Sequence, residues 1–154
     1  AIMSSPLILS FNLSDPGRMD RVWPIVSNRA VIAVNQRWVG DPGRRITLTS
    51  SWQAWAKALG GKTYALFLMS TAAGPARAAL PLQNVSGAFE THRAVCVRDL
   101  YTGSALSPLP PAAPLEAMLQ AHDSGFFCAW PASAVGGSAQ EAACDVAASD
   151  CPVL

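Results

Sequence analysis

The sequence predicts a mainly β chain: an antiparallel β-sandwich preceded by one strand–helix unit of the α/β-barrel kind. From Ile46 onward, short apolar or alternating runs are separated by glycine and proline turns, the pattern of a sandwich. Ahead of them, residues 6–10 (PLILS) form a continuous apolar run of the sort buried on both faces of a parallel sheet, and a capped helix start follows. Half of the 154 residues are apolar (51%) and only 14% are charged, so the chain can bury a sizeable core.

The elements follow in order. Ser14, Asp15 and Pro16 combine a capping side chain with proline in the first turn of a helix. Met19, Val22, Trp23 and Val26 then fall at three- and four-residue spacing and give that helix one apolar face, with Pro24 inside it as a kink or early stop. The turn at residues 40–43 (GDPG) marks the boundary, and the predicted strands beyond it cover residues 46–49, 52–57, 63–69, 76–80, 94–100 and 125–130. Gly60 and Gly61 read as the hairpin turn between the second and third of these. Ile46 and Leu48, Leu66 and Leu68, and Val95 and Val97 are expected to face one core. Residues 107–114 (SPLPPAAP) are proline-rich and cannot pair as a central strand. Leu115, Met118, Leu119 and His122 have helical spacing, whereas Leu115, Ala117 and Leu119 alternate. The small, alanine-rich end of the chain, Gly136 onward, reads as peripheral.

Charge excludes some functions. Eleven basic and ten acidic residues leave a net charge of +1, with no basic stripe to answer a phosphate backbone, so nucleic acid is not an expected partner. No apolar run reaches the roughly 18–20 residues of a membrane helix. No signal peptide opens the sequence, and residues 1–6 read as the interior of a longer protein. Asn12-Leu13-Ser14 and Asn84-Val85-Ser86 are glycosylation sequons, and the four cysteines are an even number with no Cys-x-x-Cys spacing. Together these favour a secreted or vacuolar, secretory-pathway protein over a cytosolic one.

Several segments, in this order and spacing, resemble the melibiase group, family 27 of the glycoside hydrolases. Residues 1–10 (AIMSSPLILS) resemble that family's last barrel strand, and residues 27–36 (SNRAVIAVNQ) its "N-K-E-V-I-A-V-N-Q" segment. Gly40, Gly43, Arg44 and Arg45 match its glycine-and-basic turn. Residues 55–57 (WAK) and 64–67 (YALF) resemble "W-A-K-P-L" and "V-A-L-F-N", and residues 97–100 (VRDL) match "V-R-D-L-W" with Tyr101 in place of tryptophan. The resemblance covers residues 1–130 and implies a division into a (β/α)8 barrel remnant at 1–44, an antiparallel sandwich at 45–131 and a tail at 132–154. Residues 115–120 are, on this basis, expected as strand rather than helix. It also implies a parent enzyme that hydrolyses terminal α-galactosides with retention, through a nucleophilic and an acid/base aspartate about 5 Å apart. The family's motifs for those aspartates, "K-Y-D" and "D-D", are absent. Where it reads "S-N-D-L", this chain reads Ser10, Phe11, Asn12, Leu13, so Asn12 stands in place of an aspartate.

No residue of this chain is therefore expected to be catalytic or to bind a cofactor or metal. Asp15, Asp20 and Asp41 read as cap and turn residues, His122 as a turn residue, and Arg98 with Asp99 as a local pair. His92 and Cys96 lie four apart on a predicted strand, which is no catalytic spacing. Trp52 and Trp55 read as packing groups in preference to a sugar platform. The candidate sites are modifications: Asn12 and Asn84 for glycans, and Cys96, Cys128, Cys144 and Cys151 for disulfides, by Cys144–Cys151 and Cys96–Cys128 bridges or as buried thiols. The expected partner is an upstream catalytic barrel, which alone would meet the α-galactoside; a homo-oligomer is compatible with the sequence. The alternative reading is a non-catalytic sandwich module that binds carbohydrate or protein.

Overall fold

A computed structural model describes residues 1–134, 142–144 and 151–152. The apolar run at residues 6–10 has no regular secondary structure and joins no sheet, and all five of its residues are exposed. The strand expected there is not formed: a parallel strand needs a ladder on both edges, and none of the described strands lies beside it. Helix α1 (Pro16–Val26) starts as expected, with the Asp15 carboxylate accepting from the Arg18 N–H and proline in the first turn. Pro24 is accommodated inside it, and no residue of α1 is buried. A second helix, α2 (Arg29–Gln36), is capped by Asn28, whose Oδ1 accepts from Val31 N at 2.9 Å.

The sandwich begins after Gly43. Strands β1 (Arg44–Leu48), β2 (Trp52–Gly60), β3 (Thr63–Ser70), β5 (Val95–Asp99), β6 (Ala105–Leu109) and β8 (Ser124–Pro131) form an antiparallel six-stranded sheet in the order β1-β2-β3-β8-β5-β6. Strands β4 (Ala76–Pro81) and β7 (Pro114–Leu119) form the facing two-stranded sheet. A 3-10 turn (Leu82–Asn84) and the short helix α3 (Gly87–Glu90) close the space beside it. Strands β9 (Ser133–Ala134) and β10 (Ala142–Ala143) make a small separate ladder.

Alternation along the strands explains two cores rather than one. Residues of one parity, including Trp52, Ala54, Leu66, Leu68, Val95, Val97, Phe127 and Ala129, meet Ala78, Leu80, Leu82, Phe89, Leu115 and Leu119 between the two sheets. The other parity, including Leu59, Ala65, Cys96, Phe126, Cys128 and Trp130, faces outward. That outer face is covered by Ile2, by Ala30 and Val34 of α2, and by Cys151 of the chain's end. The central strand β8 is thereby buried on both faces, from Gly125 to Trp130 without interruption.

Several expectations need correction. The two-residue loop of the β2–β3 hairpin is Gly61 and Lys62, both at positive φ (51° and 66°), because Gly60 still pairs with Thr63. Leu48 is exposed, unlike Ile46, since β1 is an edge strand whose register shifts between Arg45 and Thr47 and so breaks the alternation. The proline-rich region contributes a strand after all, β6 with Pro108, and it sits at the sheet edge where a missing N–H costs no ladder bond. The strand expected at residues 115–120 is formed, as β7 at Pro114–Leu119, paired with β4 along its whole length.

Candidate functional site

Four of the described carboxylates serve backbone groups or local charge, and Asp20 lines a surface depression on α1. Asp15 caps α1, Asp99 Oδ1 accepts from the N–H groups of Tyr101 (2.7 Å) and Thr102 (3.0 Å), and Asp123 Oδ1 accepts from Ser124 N at 2.7 Å. Glu116 pairs with Arg77 across β4 and β7, which raises the Arg77 pKa through the hydrogen bond and the neighbouring charge. Arg98 and Asp99 do not form the expected pair, as adjacent strand residues point to opposite faces and Asp99 is committed to the turn. Among the described residues no group of three or more His, Cys, Asp and Glu side chains is placed to hold a metal ion. His122 lies in a turn with φ of 58°. His92 Nε2 lies 3.3 Å from Lys62 Nζ at the surface, whereas Cys96 is buried and disulfide-bonded. Trp52 is 8% exposed and packs in the inner core, so it offers no sugar platform; Trp55 is half-buried, with its indole N–H donating to Gln53 Oε1 at 3.2 Å.

What stands out is the junction between the N-terminal segment and the sheet. Lys57, of outward parity on β2, is only 1% exposed, and its ammonium donates to Ser4 Oγ and to the Val34 carbonyl. Burial away from water lowers its pKa from the ordinary lysine value. Around it, Asn35 Nδ2 donates to Ser5 O (2.8 Å), Arg37 Nε to Leu59 O (2.8 Å), Asn28 Nδ2 to Leu100 O (3.0 Å) and Gly43 N to Ile2 O (3.0 Å). Residues 1–5 and α2 are thus held on the sheet by side chains that satisfy backbone groups.

In and around those two anchors, the chain presents apolar side chains to solvent. Met3, Leu7, Ile8, Leu9, Leu13, Trp23, Ile25, Trp38 and Val39 are nine of the twelve exposed large apolar residues among those described, and all lie within residues 3–39. Ile8 is 82% exposed and Trp23 56%. A shallow depression lined by Met19, Asp20, Trp23 and Pro24 lies on α1. Apolar exposure gathered in one stretch marks a surface built to be covered.

Both sequon asparagines are exposed. Asn12 Oδ1 accepts from Ser14 N at 3.0 Å, and Asn84 ends the 3-10 turn beside Ser86, whose hydroxyl accepts from Ala88 N and from Tyr64 OH. The disulfide joins Cys96 to Cys144, with Cα atoms 5.6 Å apart, in place of both pairings weighed from the sequence. Register explains this. Cys96 lies opposite Trp130 and Cys128 opposite Arg98, so the two cysteines are diagonal, about 7–8 Å apart in an ordinary sheet and beyond bridging reach. The β9–β10 ladder instead turns the chain back, placing residue 144 beside residue 132, whose N–H is bonded to Ala94 O just before Cys96. Sequence spacing carried no signal of that return.

Compared by sequence, the chain matches no protein-family model and no curated protein. Compared by structure, it is similar to part of several solved glycosidases. The α-galactosidase I of Mortierella vinacea superposes with a TM-score of 0.70 at 23% identity, over 84% of this chain and 32% of that one. For an α-galactosidase of Saccharomyces cerevisiae, determined with raffinose, the TM-score is 0.72 at 18% identity, over 84% and 41%. A GH27 β-L-arabinopyranosidase of Geobacillus stearothermophilus gives 0.63 at 18%, over 73% and 24%. The chain therefore spans between a quarter and two-fifths of these proteins, and what it shares with them is a fold.

Proposed function

We propose that this chain is the C-terminal portion of a family 27-type glycoside hydrolase, with residues 1–44 completing a (β/α)8 barrel, 45–131 forming the sandwich behind it and 132–154 a peripheral tail. The carrying observation is the exposed apolar stretch at residues 3–39, joined to a sandwich whose fold matches part of α-galactosidases. An exposed apolar run outside any sheet and a helix with no buried residue are what a barrel strand and its crossover helix would become without their neighbours. In this reading the sandwich and the Lys57 junction hold the last barrel segment in place. The nucleophile and acid/base carboxylates, and the α-galactoside they would cleave with retention, belong to the barrel upstream.

The chain by itself is then non-catalytic. The family's two aspartate motifs do not occur in this sequence, and without a nucleophile no binding surface performs retaining hydrolysis. A secretory or vacuolar location, with glycans on Asn12 or Asn84, belongs to the same reading and is supported by the sequons and the disulfide. No helix among the described residues is long and apolar enough to cross a membrane.

The test uses a nitrophenyl α-galactoside. The 154-residue chain is expected to give no turnover, and the native protein, with sequence N-terminal to Ala1 attached, is expected to turn it over. Turnover by the chain alone, abolished by a substitution within it, would refute the assignment. Native material that carries the upstream segment yet is inactive would leave the sandwich as a binding module, with Asn12 restored to aspartate as the first variant to assay.

A further inference from the structure

The four cysteines of this chain gather at one place. Cys96, Cys128 and Cys151 are buried members of the cluster on the outer face of the six-stranded sheet, and Cys144 packs against the same cluster. Cys96 and Cys128 sit on the neighbouring strands β5 and β8 with side chains on the same face, while Cys144 and Cys151 arrive from the end of the chain. The disulfide fixes Cys144 to Cys96 on β5. Seven residues on, Cys151 is buried in the same cluster at 7% exposure.

From this arrangement we infer a second disulfide, Cys128–Cys151. The pairing of one strand cysteine with one tail cysteine is then repeated on the adjacent strand. The two bridges strap the tail across β5 and β8, on the face that α2 also covers. The inference is independent of the catalytic assignment above. In chemical terms, two thiols lose two protons and two electrons and an S–S bond forms. The electrons pass to a small-molecule disulfide such as oxidised glutathione, which leaves as two thiols. Both sulfurs are buried in the folded chain, so the bond forms while the tail is still docking.

Refolding the full chain from the reduced, denatured state in a glutathione redox buffer tests this. The expected product shows no alkylatable thiol in denaturant before reduction and all four cysteines after it. Its non-reducing peptide map contains Cys96 linked to Cys144 and Cys128 linked to Cys151. Cys151→Ala should leave one alkylatable thiol, at Cys128, and Cys128→Ala one, at Cys151, each with the first bridge intact. Recovery of Cys128 and Cys151 as two thiols beside an intact Cys96–Cys144 bridge would overturn the proposal. So would any other pairing of the four, or a scrambled mixture.

Discussion

Lys57 is the residue with the largest consequence for stability against pH. At 1% exposure its ammonium keeps a hydroxyl and a carbonyl as partners and pairs with no carboxylate among the described residues, so the charge is held at a cost. Its folded pKa lies below the 10.5 of a free lysine, so between the two values the unfolded chain binds more protons than the folded one. Stability therefore rises with pH through that window, reaches its plateau above 10.5, and is lost as pH falls through the folded pKa. In the 154-residue chain on its own, the Ala1 amine, lowered by burial and by the Lys57 charge, adds a rise of the same sign below 8.0. Lys57→Met should flatten the upper part of the rise in urea midpoints between pH 7 and 11. At neutral pH it should change stability by less than about 2 kcal/mol, because relief of the buried charge offsets two acceptors of about 1 kcal/mol each. A variant that keeps the slope would place the titrating group elsewhere. None of this is legible in the sequence. The WAK motif can be read at residues 55–57, but simple alternation says only that Lys57 faces the side opposite Ala54 and Ala56. That this side is also covered depends on residues 1–37, far away in the chain.

At the scale of elements, legibility followed the strength of local pattern. β3 and β8 could be found in place because their apolar runs are bounded by turn residues and sit centrally, where both faces are buried. β6 could not, since an edge strand tolerates proline and polar residues and so carries little signal. Residues 114–119 satisfy two periods at once, and pairing with β4 decides between them. Within β8, Gly125 has a reason that periodicity does not reveal. A Cβ there would come within 2.6 Å of Phe127 Cε2 and 2.9 Å of its Cζ, so the ring lies over the glycine. Gly125→Ala should therefore destabilise by about 1–3 kcal/mol in urea unfolding, as overpacking beside a buried ring. Gly74→Ala, where no atom lies within 4 Å of the added Cβ, should stay within about 0.5 kcal/mol and serves as the control. Equal effects at the two positions would mean that backbone entropy, not the ring, governs the substitution. Truncating Phe89, fully buried where α3 closes the inner core and edge-on to Tyr64 at 5.5 Å, should cost about 3–5 kcal/mol.

For the molecule as a whole, stability should be divided unevenly along the chain, and the division tests whether the N-terminal segment has lost a neighbour. The exposed residues 5–10 pair with no described strand, and α1 is an 11-residue helix with no buried residue, a length at which an isolated helix is marginal in water. Its amides should open with little free-energy cost. α2 differs, despite being shorter, because Ala30 and Val34 are buried against the sheet and Asn28 and Asn35 tie its ends to Leu100 and Ser5. No local sequence pattern reveals this docking, because it depends on outward-facing residues of β2, β3, β5 and β8. Hydrogen exchange on the monomeric chain should then show three levels. Residues 6–26 should exchange fast, residues 31–36 should be intermediate, and β3, β5 and β8 should be slowest, since opening them exposes both cores. If the proposed upstream barrel is supplied, it should slow residues 6–26 selectively and leave β3 unchanged. Strong protection of residues 6–26 in the monomer would show that the apolar stretch is already satisfied within this chain, and the docking reading would fall.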